Sequence, residues 1–367
     1  MSLTARISHF ALARLAPGGE DRRMRAAVFH GPRDVRVTDV PDPRAGAGEA
    51  IVKVSVAGIC GSDVNRFRYG SHPWPPGFIM GHEFTGEVAD VGPGVTGWAA
   101  GAPVIVEPTL MCGVCFYCRA GDPNRCVEFV RRGLTGSGTD GGFAEYVRAP
   151  AYQLHARPAV LSAELAALVE PAAVSAHGWR LAGLARPDSV VVVGLGNIGL
   201  LAVAVARAKG AGDIIAVGKY PPRQELARVY GAAVVLEPDD PRLVARIQER
   251  TGGLGAALVF EAAGTATSLL TAVDATRKGG KVVLLGVHHE AVALDWRRVL
   301  MNEQHIIGSI IYRRDDFAEA IEILGAGLID LHRHVTATIP LADIVPRGFV
   351  DLIDRRAEHV KIQVHPA

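Results

Sequence analysis

The sequence has almost no excess of charge of either sign, few aromatic residues and no long uninterrupted apolar segment. Its 367 residues include 39 Lys and Arg against 38 Asp and Glu. Without a basic excess, the chain has no general electrostatic attraction for nucleic acid or an anionic membrane. The longest uncharged apolar stretch, residues 189–206, has three glycines and an asparagine in its middle, which favour a strand, a turn and a helix over a membrane span. We therefore expect no nucleic-acid and no membrane partner.

The N-terminal residues lack the uninterrupted apolar segment that a secretory signal requires. Basic and apolar residues are mixed there, and the acidic Glu20 and Asp21 are atypical of an organelle-targeting peptide. We predict that residues 1–23 are a leader or tag, that the working chain begins near Met24, and that the protein is cytoplasmic.

The length predicts two domains, because 367 residues exceed what one hydrophobic core usually serves. Before about residue 175, short alternating runs such as EAIVKVSV are interrupted by Gly and Pro, which indicates a β-rich domain. After it, apolar runs from SVVVVGLG to KVVLLGV alternate with helical patterns, as in βαβ units that build a parallel sheet. The predicted fold class is therefore α/β. The run KVVLLGV is either a sheet edge where two subunits pair or an internal strand.

Cysteine is scarce, and four of the five cysteines are Cys112, Cys115, Cys118 and Cys126. Their spacing, C-x2-C-x2-C-x7-C, lets four thiolates surround one tetrahedral Zn²⁺ at about 2.3 Å. A disulfide framework is the alternative, but it is disfavoured without a secretion signal. A nucleic-acid-binding ribbon would need more basic and aromatic neighbours than this segment has. Because four sulfur ligands leave no open position, we predict a structural zinc.

The fifth cysteine, Cys60, lies in GICGSDVNRF, and His82 and Glu83 follow in MGHEFTGEV. A thiolate, an imidazole and a carboxylate together make a mixed zinc site that keeps a position for water or substrate. Glu170, in LVEPAAVSAHG, is a further candidate ligand, although spacing alone does not select it. The alternatives are a buried inert thiol and a solvated His-Glu pair.

The segment VVVVGLGNIGLL places Gly194, Gly196 and Gly199 as G-x-G-x-x-G, with Asn197 and Ile198 between the last two glycines. The first glycine allows a tight turn, the second a close approach of a pyrophosphate, and the third close packing of helix on strand. Backbone N–H groups and the helix dipole then bind the phosphates. Between a predicted strand and a predicted helix, this motif indicates dinucleotide binding.

About twenty residues after the glycine motif, an acidic side chain normally binds the adenine-ribose 2′-hydroxyl of NAD. Here the strand DIIAVG ends at Gly218, with Lys219 and Arg223 close behind. A glycine leaves room for a 2′-phosphate, and the two cations could pair with it. The sequence thus favours NADP(H), with NAD(H) as the alternative. The competing interpretation is that both cations are ordinary surface residues.

Taken together, CGSD, GHEFTGEVADVGPGVTG, the four-cysteine segment, GGFAEY, LVEPAAV and the glycine motif resemble zinc-dependent medium-chain alcohol dehydrogenases. The resemblance runs from about Met24 to the C-terminus, and LVEPAAVSAH with the C-terminal region is similar to the polyol and (R,R)-butanediol dehydrogenase branch. It implies a GroES-like catalytic domain of residues 24–174 and 312–367, with a structural zinc lobe near 108–130. It also implies a Rossmann domain of residues 175–311 and a homodimer or homotetramer.

The resemblance also implies roles for individual residues. Asp63 would orient His82, Ser62 would hydrogen-bond the substrate oxygen, and Lys361 would lie against the cofactor pyrophosphate. Two zinc ions per chain are implied. The catalytic zinc would have as direct or exchanging ligands Cys60, His82, Glu83 and Glu170, and the structural zinc would be held by Cys112, Cys115, Cys118 and Cys126.

The implied activity is hydride transfer between a secondary alcohol or polyol, or its ketone, and a nicotinamide cofactor. A sorbitol-, threonine- or simple-alcohol-type dehydrogenase and a catalytically silent zinc- and dinucleotide-binding protein are the alternatives. Two positions depart from the family pattern. Relatives commonly have a histidine where this chain has Asn65, and an amide cannot end a proton relay. Butanediol-type relatives generally use NAD, so Gly218 separates this chain from them.

Overall fold

The computed structural model describes residues 22–70 and 74–366. The predicted leader of residues 1–23 lies outside the described residues except for Arg22 and Arg23, and the first strand begins at Arg23. The first part of the chain is mostly strands: β1 (Arg23–Gly31), β2 (Asp34–Pro41), β3 (Glu49–Gly58), β4 (Phe78–Ile79), β5 (Glu83–Val91), β6 (Pro103–Val106), β7 (Leu134–Thr135), β8 (Gly138–Thr139), β9 (Tyr146–Pro150) and β10 (Leu154–Ala156), with the helices α1 (Gly61–Tyr69), α2 (Phe116–Arg119) and α3 (Phe129–Arg132).

Helices and strands alternate in the middle of the chain, as the sequence pattern predicts. The elements are α4 (Ala163–Ala166), α5 (Val169–Ala182), β11 (Ser189–Val193), α6 (Asn197–Ala208), β12 (Asp213–Val217), α7 (Pro221–Val229), β13 (Val234–Leu236), α8 (Leu243–Arg250), β14 (Ala256–Glu261), α9 (Ala266–Ala275), β15 (Thr276–Leu284), α10 (Trp296–Met301) and β16 (His305–Gly308). The chain ends with α11 (Arg314–Gly325), β17 (Val335–Pro340), a π-helical segment (Ile344–Val350), α12 (Asp351–Asp354) and β18 (Lys361–His365).

Five of the N-terminal strands and the last two strands form one seven-stranded sheet, whereas β2, β1 and β4 form a separate three-stranded sheet and β7 and β8 a two-stranded one. The order of the seven-stranded sheet is β10-β6-β5-β3-β18-β17, and β9 also pairs with β3. The C-terminal strand β18 runs antiparallel to β3, with Gln363 opposite Gly58. The two ends of the chain therefore build the same sheet, and β18 brings C-terminal residues beside the loop that follows β3.

The central part of the chain forms a six-stranded parallel sheet in the order β13-β12-β11-β14-β15-β16. All five residues of β11 are buried, which explains its continuous valines, because a strand covered on both faces has no polar side. The predicted α/β fold with a Rossmann-type sheet is confirmed. The run KVVLLGV belongs mainly to β15, which lies between β14 and β16, so it is internal, and the edge strands of this sheet are β13 and β16.

Helix α5 connects the two sheets. It spans residues 169–182 without interruption, so the predicted domain boundary at residue 174/175 falls inside it. Its core neighbours include α6 and also Phe317 and Leu324 of α11. Nothing among the helices of residues 22–70 and 74–366 is both long and apolar enough to cross a membrane, and residues 189–206 form β11 and most of α6.

Candidate active site

Three of the predicted metal ligands meet at one end of the first sheet. Cys60 directly precedes α1, whereas Glu83 begins β5 and His82 immediately precedes it. Because β3 and β5 are antiparallel neighbours with Gly58 opposite Glu83, the end of one strand lies beside the start of the other. One ligand atom from each of Cys60, His82 and Glu83 lies within 4.8 Å of the others. Such a donor set is typical of a mixed zinc site.

Buried polar atoms without partners mark this cluster. His82 is 4% exposed and Glu83 is 0% exposed, and within the described residues neither His82 Nδ1 nor Glu83 Oε1 has a hydrogen-bond partner. Such atoms cost free energy unless something satisfies them. A Cβ at Gly58 would lie 2.4 Å from Glu83 Oε2, so the glycine is what admits the carboxylate. The residues present fit a divalent metal ion.

Negative charge converges on His82. Burial acts to lower the pKa of His82, but the charges of Asp63, Cys60 and Glu170 outweigh it and raise that pKa well above its usual range. Asp63 is buried, its Oδ2 accepts a hydrogen bond from the Cys60 N–H at 3.1 Å, and its Oδ1 lies 3.6 Å from His82 Nδ1. The second distance is that of an ion pair rather than a hydrogen bond. The negative charges that favour the protonated form of His82 would equally stabilise a metal cation bound here, with His82 then in its neutral form.

Glu170 lies in the first turn of α5 and is not part of the three-residue cluster. It is 7% exposed, and its Oε1 accepts a hydrogen bond of 2.9 Å from the Tyr312 hydroxyl. Burial is the main cause that raises the pKa of Glu170 to about 7, with His82 opposing the shift and Glu83 reinforcing it. The geometry therefore groups Glu83, rather than Glu170, with the cysteine and the histidine.

Lys361 lies beside the metal cluster and also borders the cavity that Asn197 lines. Its ammonium group donates to Glu83 Oε2 at 2.5 Å and to the Ile59 carbonyl at 2.9 Å, and the side chain is 1% exposed. A buried ammonium group requires such partners, and the pairing of β18 with β3 supplies them. The ammonium group is thus paired with Glu83, and its contact with the pyrophosphate stays a prediction.

The four remaining cysteines form a separate cluster between β6 and β7. The sulfur atoms of Cys112, Cys115, Cys118 and Cys126 lie within 4.8 Å of one another, and those of Cys112 and Cys118 are 3.9 Å apart. Four sulfurs at about 2.3 Å from one ion would be separated by about 3.8 Å, whereas a disulfide needs about 2.05 Å. All four thiols are free, so the structure contains no disulfide framework here. The predicted ligand set fits a zinc ion.

Backbone donors favour a thiolate at Cys115, whereas burial raises the pKa of Cys118 to about 12. The Cys115 N–H points at Cys112 Sγ at 3.3 Å and the Cys118 N–H at Cys115 Sγ at 3.5 Å. The N–H groups of Cys118 and then Val127 lower the pKa of Cys115 to about 6. Since the thiolate is the form that binds metal, the loop is arranged for a cation before one arrives.

Replacing Cys115 with serine is expected to destabilise the protein by a few kcal/mol, because metal binding contributes directly to the stability of a lobe with little apolar core. The melting temperature should fall by about 5–10 °C, and chelation should lower it similarly in the wild type. Differential scanning fluorimetry measures both. Val114→Ala, at a 71% exposed neighbour, is the matched control. A Cys115→Ser melting curve that superimposes on the wild-type curve would show that no structural metal is held there.

The glycine motif forms the turn between β11 and α6. Gly194 has φ +103°, a conformation that favours glycine, and a Cβ at Gly199 would lie 1.7 Å from the Gly194 carbonyl oxygen. A Cβ at Gly196 would meet no protein atom within 4 Å, so this glycine faces open space. Asn197 begins α6 and Ile198 packs against the core. The turn has the shape that the sequence predicts for a pyrophosphate site.

The residues expected to select the cofactor are placed differently from the prediction. Gly218 follows β12, but a Cβ there would lie 2.5 Å from Leu195 Cγ, so Leu195 fills the space beside it. Lys219 forms an exposed ion pair of 2.8 Å with Asp239. Arg223 donates to the His359 carbonyl at 2.6 Å and to the Arg356 carbonyl. The guanidinium of Arg223 thus holds the C-terminal segment, and of the two cations only Lys219 remains at the surface.

One cavity lies between neighbours of the metal cluster and the start of α6. It has a volume of about 310 Å³ and is bordered by Gly61 and Lys361 beside the metal cluster and by Asn197 in the glycine turn. Asn65, Arg68 and Arg356 also line it. A ligand in this cavity would therefore contact β18 of the first sheet and α6 beside the parallel sheet, with the arginines Arg68 and Arg356 at its border.

Several site residues escaped the sequence analysis. Tyr312 hydrogen-bonds Glu170, and His289 Nε2 lies 3.5 Å from Asn65 Nδ2. The second contact brings an imidazole beside the amide that replaces the usual relay histidine. No local motif identifies either residue, because each is far in sequence from its partner. Ser62, by contrast, is exposed in the first turn of α1, as its predicted contact with substrate requires.

The fold and the two clusters define a class of protein: a two-domain, metal-dependent dehydrogenase that uses a dinucleotide. Two family models agree, "Alcohol dehydrogenase GroES-like domain" over residues 46–159 and "Zinc-binding dehydrogenase" over residues 197–326. The (R,R)-butanediol dehydrogenase of Bacillus subtilis (strain 168) is 35% identical over 94% of this chain and 100% of its own length. The chain belongs to the zinc-dependent medium-chain alcohol dehydrogenase family, and it is an oxidoreductase.

Other relatives vary in substrate and bound cofactor. The sorbitol dehydrogenase of Bacillus subtilis (strain 168) is 32% identical over 94% of this chain and 98% of its own. A zinc-binding dehydrogenase from Sinorhizobium meliloti 1021, solved bound to NADP, has a TM-score of 0.86 at 32% identity, covering 94% of this chain and 100% of that one. An Escherichia coli CFT073 dehydrogenase complexed with NADH has a TM-score of 0.85 at 28% identity, covering 94% and 99%. Both nicotinamide cofactors therefore occur among similar structures.

Proposed function

We propose that this dehydrogenase oxidises secondary alcohols or polyols, and reduces the corresponding ketones, with NADP(H) in preference to NAD(H). The observation that carries the proposal is the single cavity bordered by Gly61, Lys361 and Asn197. It is bordered by the neighbours of Cys60 on one side and by the first residue of the helix that follows the glycine turn on the other, so a substrate near the metal cluster and a dinucleotide at the turn would approach each other there. The relatives named as butanediol and sorbitol dehydrogenases support vicinal diols and polyols as the substrate class.

We propose two zinc ions per chain, a catalytic one at Cys60, His82 and Glu83 with Glu170 as an exchanging ligand, and a structural one in the four-cysteine lobe. Bound zinc would act as a Lewis acid on the substrate oxygen, and the nicotinamide would carry the hydride. The chain's own residues prepare this chemistry. Asp63 holds negative charge against His82, Lys361 balances Glu83, and exposed Ser62 is placed to hydrogen-bond the substrate oxygen. Closure of the cavity around the reactants would exclude water.

We also propose that residues 24–174 and 312–367 act as the catalytic domain and residues 175–311 as the cofactor domain. For assembly we propose a homodimer or homotetramer. Among the described residues no strand pairs with the outer side of β16, one of the two edge strands of the parallel sheet, and such an edge is available for pairing with a second subunit. Sedimentation analysis would measure this state, and a monomer at micromolar concentration would contradict it.

The proposed activity is tested by a substrate screen on the zinc-loaded protein with both cofactors. Diketones, hydroxyketones and polyols should give turnover that is followed by reduced-nicotinamide absorbance at 340 nm, a general property of the cofactor. Preference for a simple primary alcohol or for threonine would change the substrate class. A protein that holds two zinc ions and binds cofactor but turns over none of these compounds would instead be a silent binding protein.

Cofactor preference depends on the end of β12. Gly218→Asp is expected to shift the NADPH/NADH ratio of kcat/KM at least about tenfold toward NADH, because a carboxylate repels the 2′-phosphate and accepts from the 2′-hydroxyl. Initial rates with each cofactor at fixed substrate measure the ratio. The wild type should prefer NADPH, and Lys219→Ala should reduce that preference.

A steric control is essential, since any side chain at position 218 approaches Leu195. Gly218→Ala adds the same Cβ without charge, so it should weaken both cofactors alike. If the aspartate and alanine variants show the same NADPH/NADH ratio, charge at this position does not select the cofactor.

A further inference from the structure

His334 is a buried, polar side chain that none of the functions above uses. It is 0% exposed and lies in the short 3₁₀ turn before β17. Its Nε2 lies 2.8 Å from Asn197 Oδ1, in the glycine turn, and its Nδ1 lies 3.2 Å from the Tyr230 hydroxyl just after α7. The ring also stacks on Tyr230, with centroids 5.9 Å apart. A residue from the C-terminal part of the chain thus reaches the first residue of α6.

The acceptor oxygen of Asn197 determines the direction of these hydrogen bonds. An amide oxygen can only accept, so Nε2 of His334 bears the hydrogen and Nδ1 is the acceptor for the Tyr230 O–H. Burial, followed by the charge of Lys361, lowers the pKa of His334 to about 3, so the ring is neutral near pH 7. Burial raises the pKa of Tyr230 above its usual range, so the phenol keeps its proton. The hydrogen bonds therefore run in one direction: the Tyr230 hydroxyl donates to His334, and His334 donates to the Asn197 oxygen.

Because His334 holds the side-chain oxygen of Asn197, the side-chain amino group of Asn197 points away from His334. Within residues 22–70 and 74–366, the bond to His334 is the only hydrogen bond of the Asn197 side chain, so both Nδ2 hydrogens are unused. Asn197 borders the 310 Å³ cavity together with Arg68, Arg356 and Lys361. The arginines Arg68 and Arg356, together with the start of the 12-residue helix α6, make this cavity attractive to an anion, whereas the charge of Lys361 is already paired with Glu83.

We propose that Tyr230 and His334 are positioning residues for the cofactor: they hold the Asn197 amide so that its Nδ2 donates a hydrogen bond to the pyrophosphate. This inference rests on the proposed dinucleotide site in the same cavity. Neither positioning residue touches the cofactor. They act only through the side-chain amide of Asn197. Without His334, this amide could turn over and exchange the positions of its oxygen and its nitrogen.

The test is a titration of NADPH and of ADP-ribose against the zinc-loaded enzyme, followed by fluorescence and by calorimetry. His334→Leu should raise the dissociation constant of both ligands about 3- to 20-fold, the loss of one hydrogen bond to a charged group. ADP-ribose has the pyrophosphate and no nicotinamide, so an equal loss for both ligands locates the effect in the ADP-ribose part and excludes the nicotinamide ring. The cofactor KM should rise to the same extent while kcat changes little.

Two further variants separate positioning from packing. Asn197→Ala should weaken both ligands as much as His334→Leu, and the double variant should be no weaker than either, because one path carries both effects. His334→Gln, which can still donate to Asn197, should recover part of the affinity. Additive losses, or wild-type affinity in Asn197→Ala, would overturn the inference. A wild type that bound neither NADPH nor NADH would instead refute the proposed cofactor site itself.

Discussion

Replacing Cys60 with serine is expected to reduce dehydrogenase activity by about 10³-fold or more. A metal acting as a Lewis acid contributes several kcal/mol to transition-state stabilisation, and each 1.4 kcal/mol is about tenfold in rate. A serine hydroxyl is neutral at pH 7 and cannot replace the thiolate as a zinc ligand. Elemental analysis should show zinc falling from two ions per chain to one, and initial rates should show the loss of activity.

This substitution distinguishes the loss of the catalytic metal from a loss of protein stability. Cys60 is also the N-cap of α1, and its N–H donates to Asp63, but serine is a favoured N-cap residue. The helix should therefore be retained, and the melting temperature should change much less than in Cys115→Ser. Near-normal turnover by Cys60→Ser with both zinc ions still bound would mean that the cluster at His82 and Glu83 is not the catalytic metal site.

Two substitutions in the glycine turn are expected to have large effects on cofactor binding, but only one of them should lower the stability of the fold. Gly199→Ala should lower stability by about 1–3 kcal/mol or more and abolish cofactor binding, because its Cβ would lie 1.7 Å from the Gly194 carbonyl oxygen. Gly196→Ala meets no protein atom within 4 Å, so its melting temperature should stay near that of the wild type. Its affinity for cofactor should nevertheless fall by at least about tenfold, because the methyl group occupies the space through which a pyrophosphate approaches.

Thermal melts and NADPH titrations of both variants test this contrast. Gly325→Ala, inside α11 and with only one atom at 4.0 Å from the added Cβ, is the control for a glycine replaced by alanine in a helix. Full cofactor affinity in Gly196→Ala would place the pyrophosphate elsewhere, even if Gly199→Ala fails to fold.

Much of this site could be predicted because its signals are local. The four lobe cysteines lie within residues 112–126, and their spacing alone limits them to a shared ion or to disulfides. The glycine motif likewise encodes its own turn, since the strand, the tight turn and the helix start are consecutive. Cys60 and His82 are further apart, but Cys60 follows β3 and His82 precedes β5, and these two strands pair as antiparallel neighbours, a pairing that the alternating β-rich pattern suggests.

Contacts between distant segments could not be predicted in this way. The resemblance implies the pyrophosphate as the partner of Lys361, but no sequence signal indicates the ion pair with Glu83 that the pairing of β18 with β3 produces. Arg223 was expected near a 2′-phosphate, yet carbonyl groups at the C-terminal end of the chain take up its donors. In both cases a long cationic side chain had several partners within reach, and packing selected among them.

The amino-acid sequence by itself determined the chemistry of this protein: which atoms can bind metal, which turn can hold a phosphate, and that the central sheet is parallel and buried. Those properties depend on residue type and short spacing. Only the tertiary structure decided which carboxylate joins Cys60 and His82, which cations remain free, and that His334 reaches Asn197. These choices depend on distances between segments far apart in the chain, and such distances exist only after both sheets and the helix between them have packed.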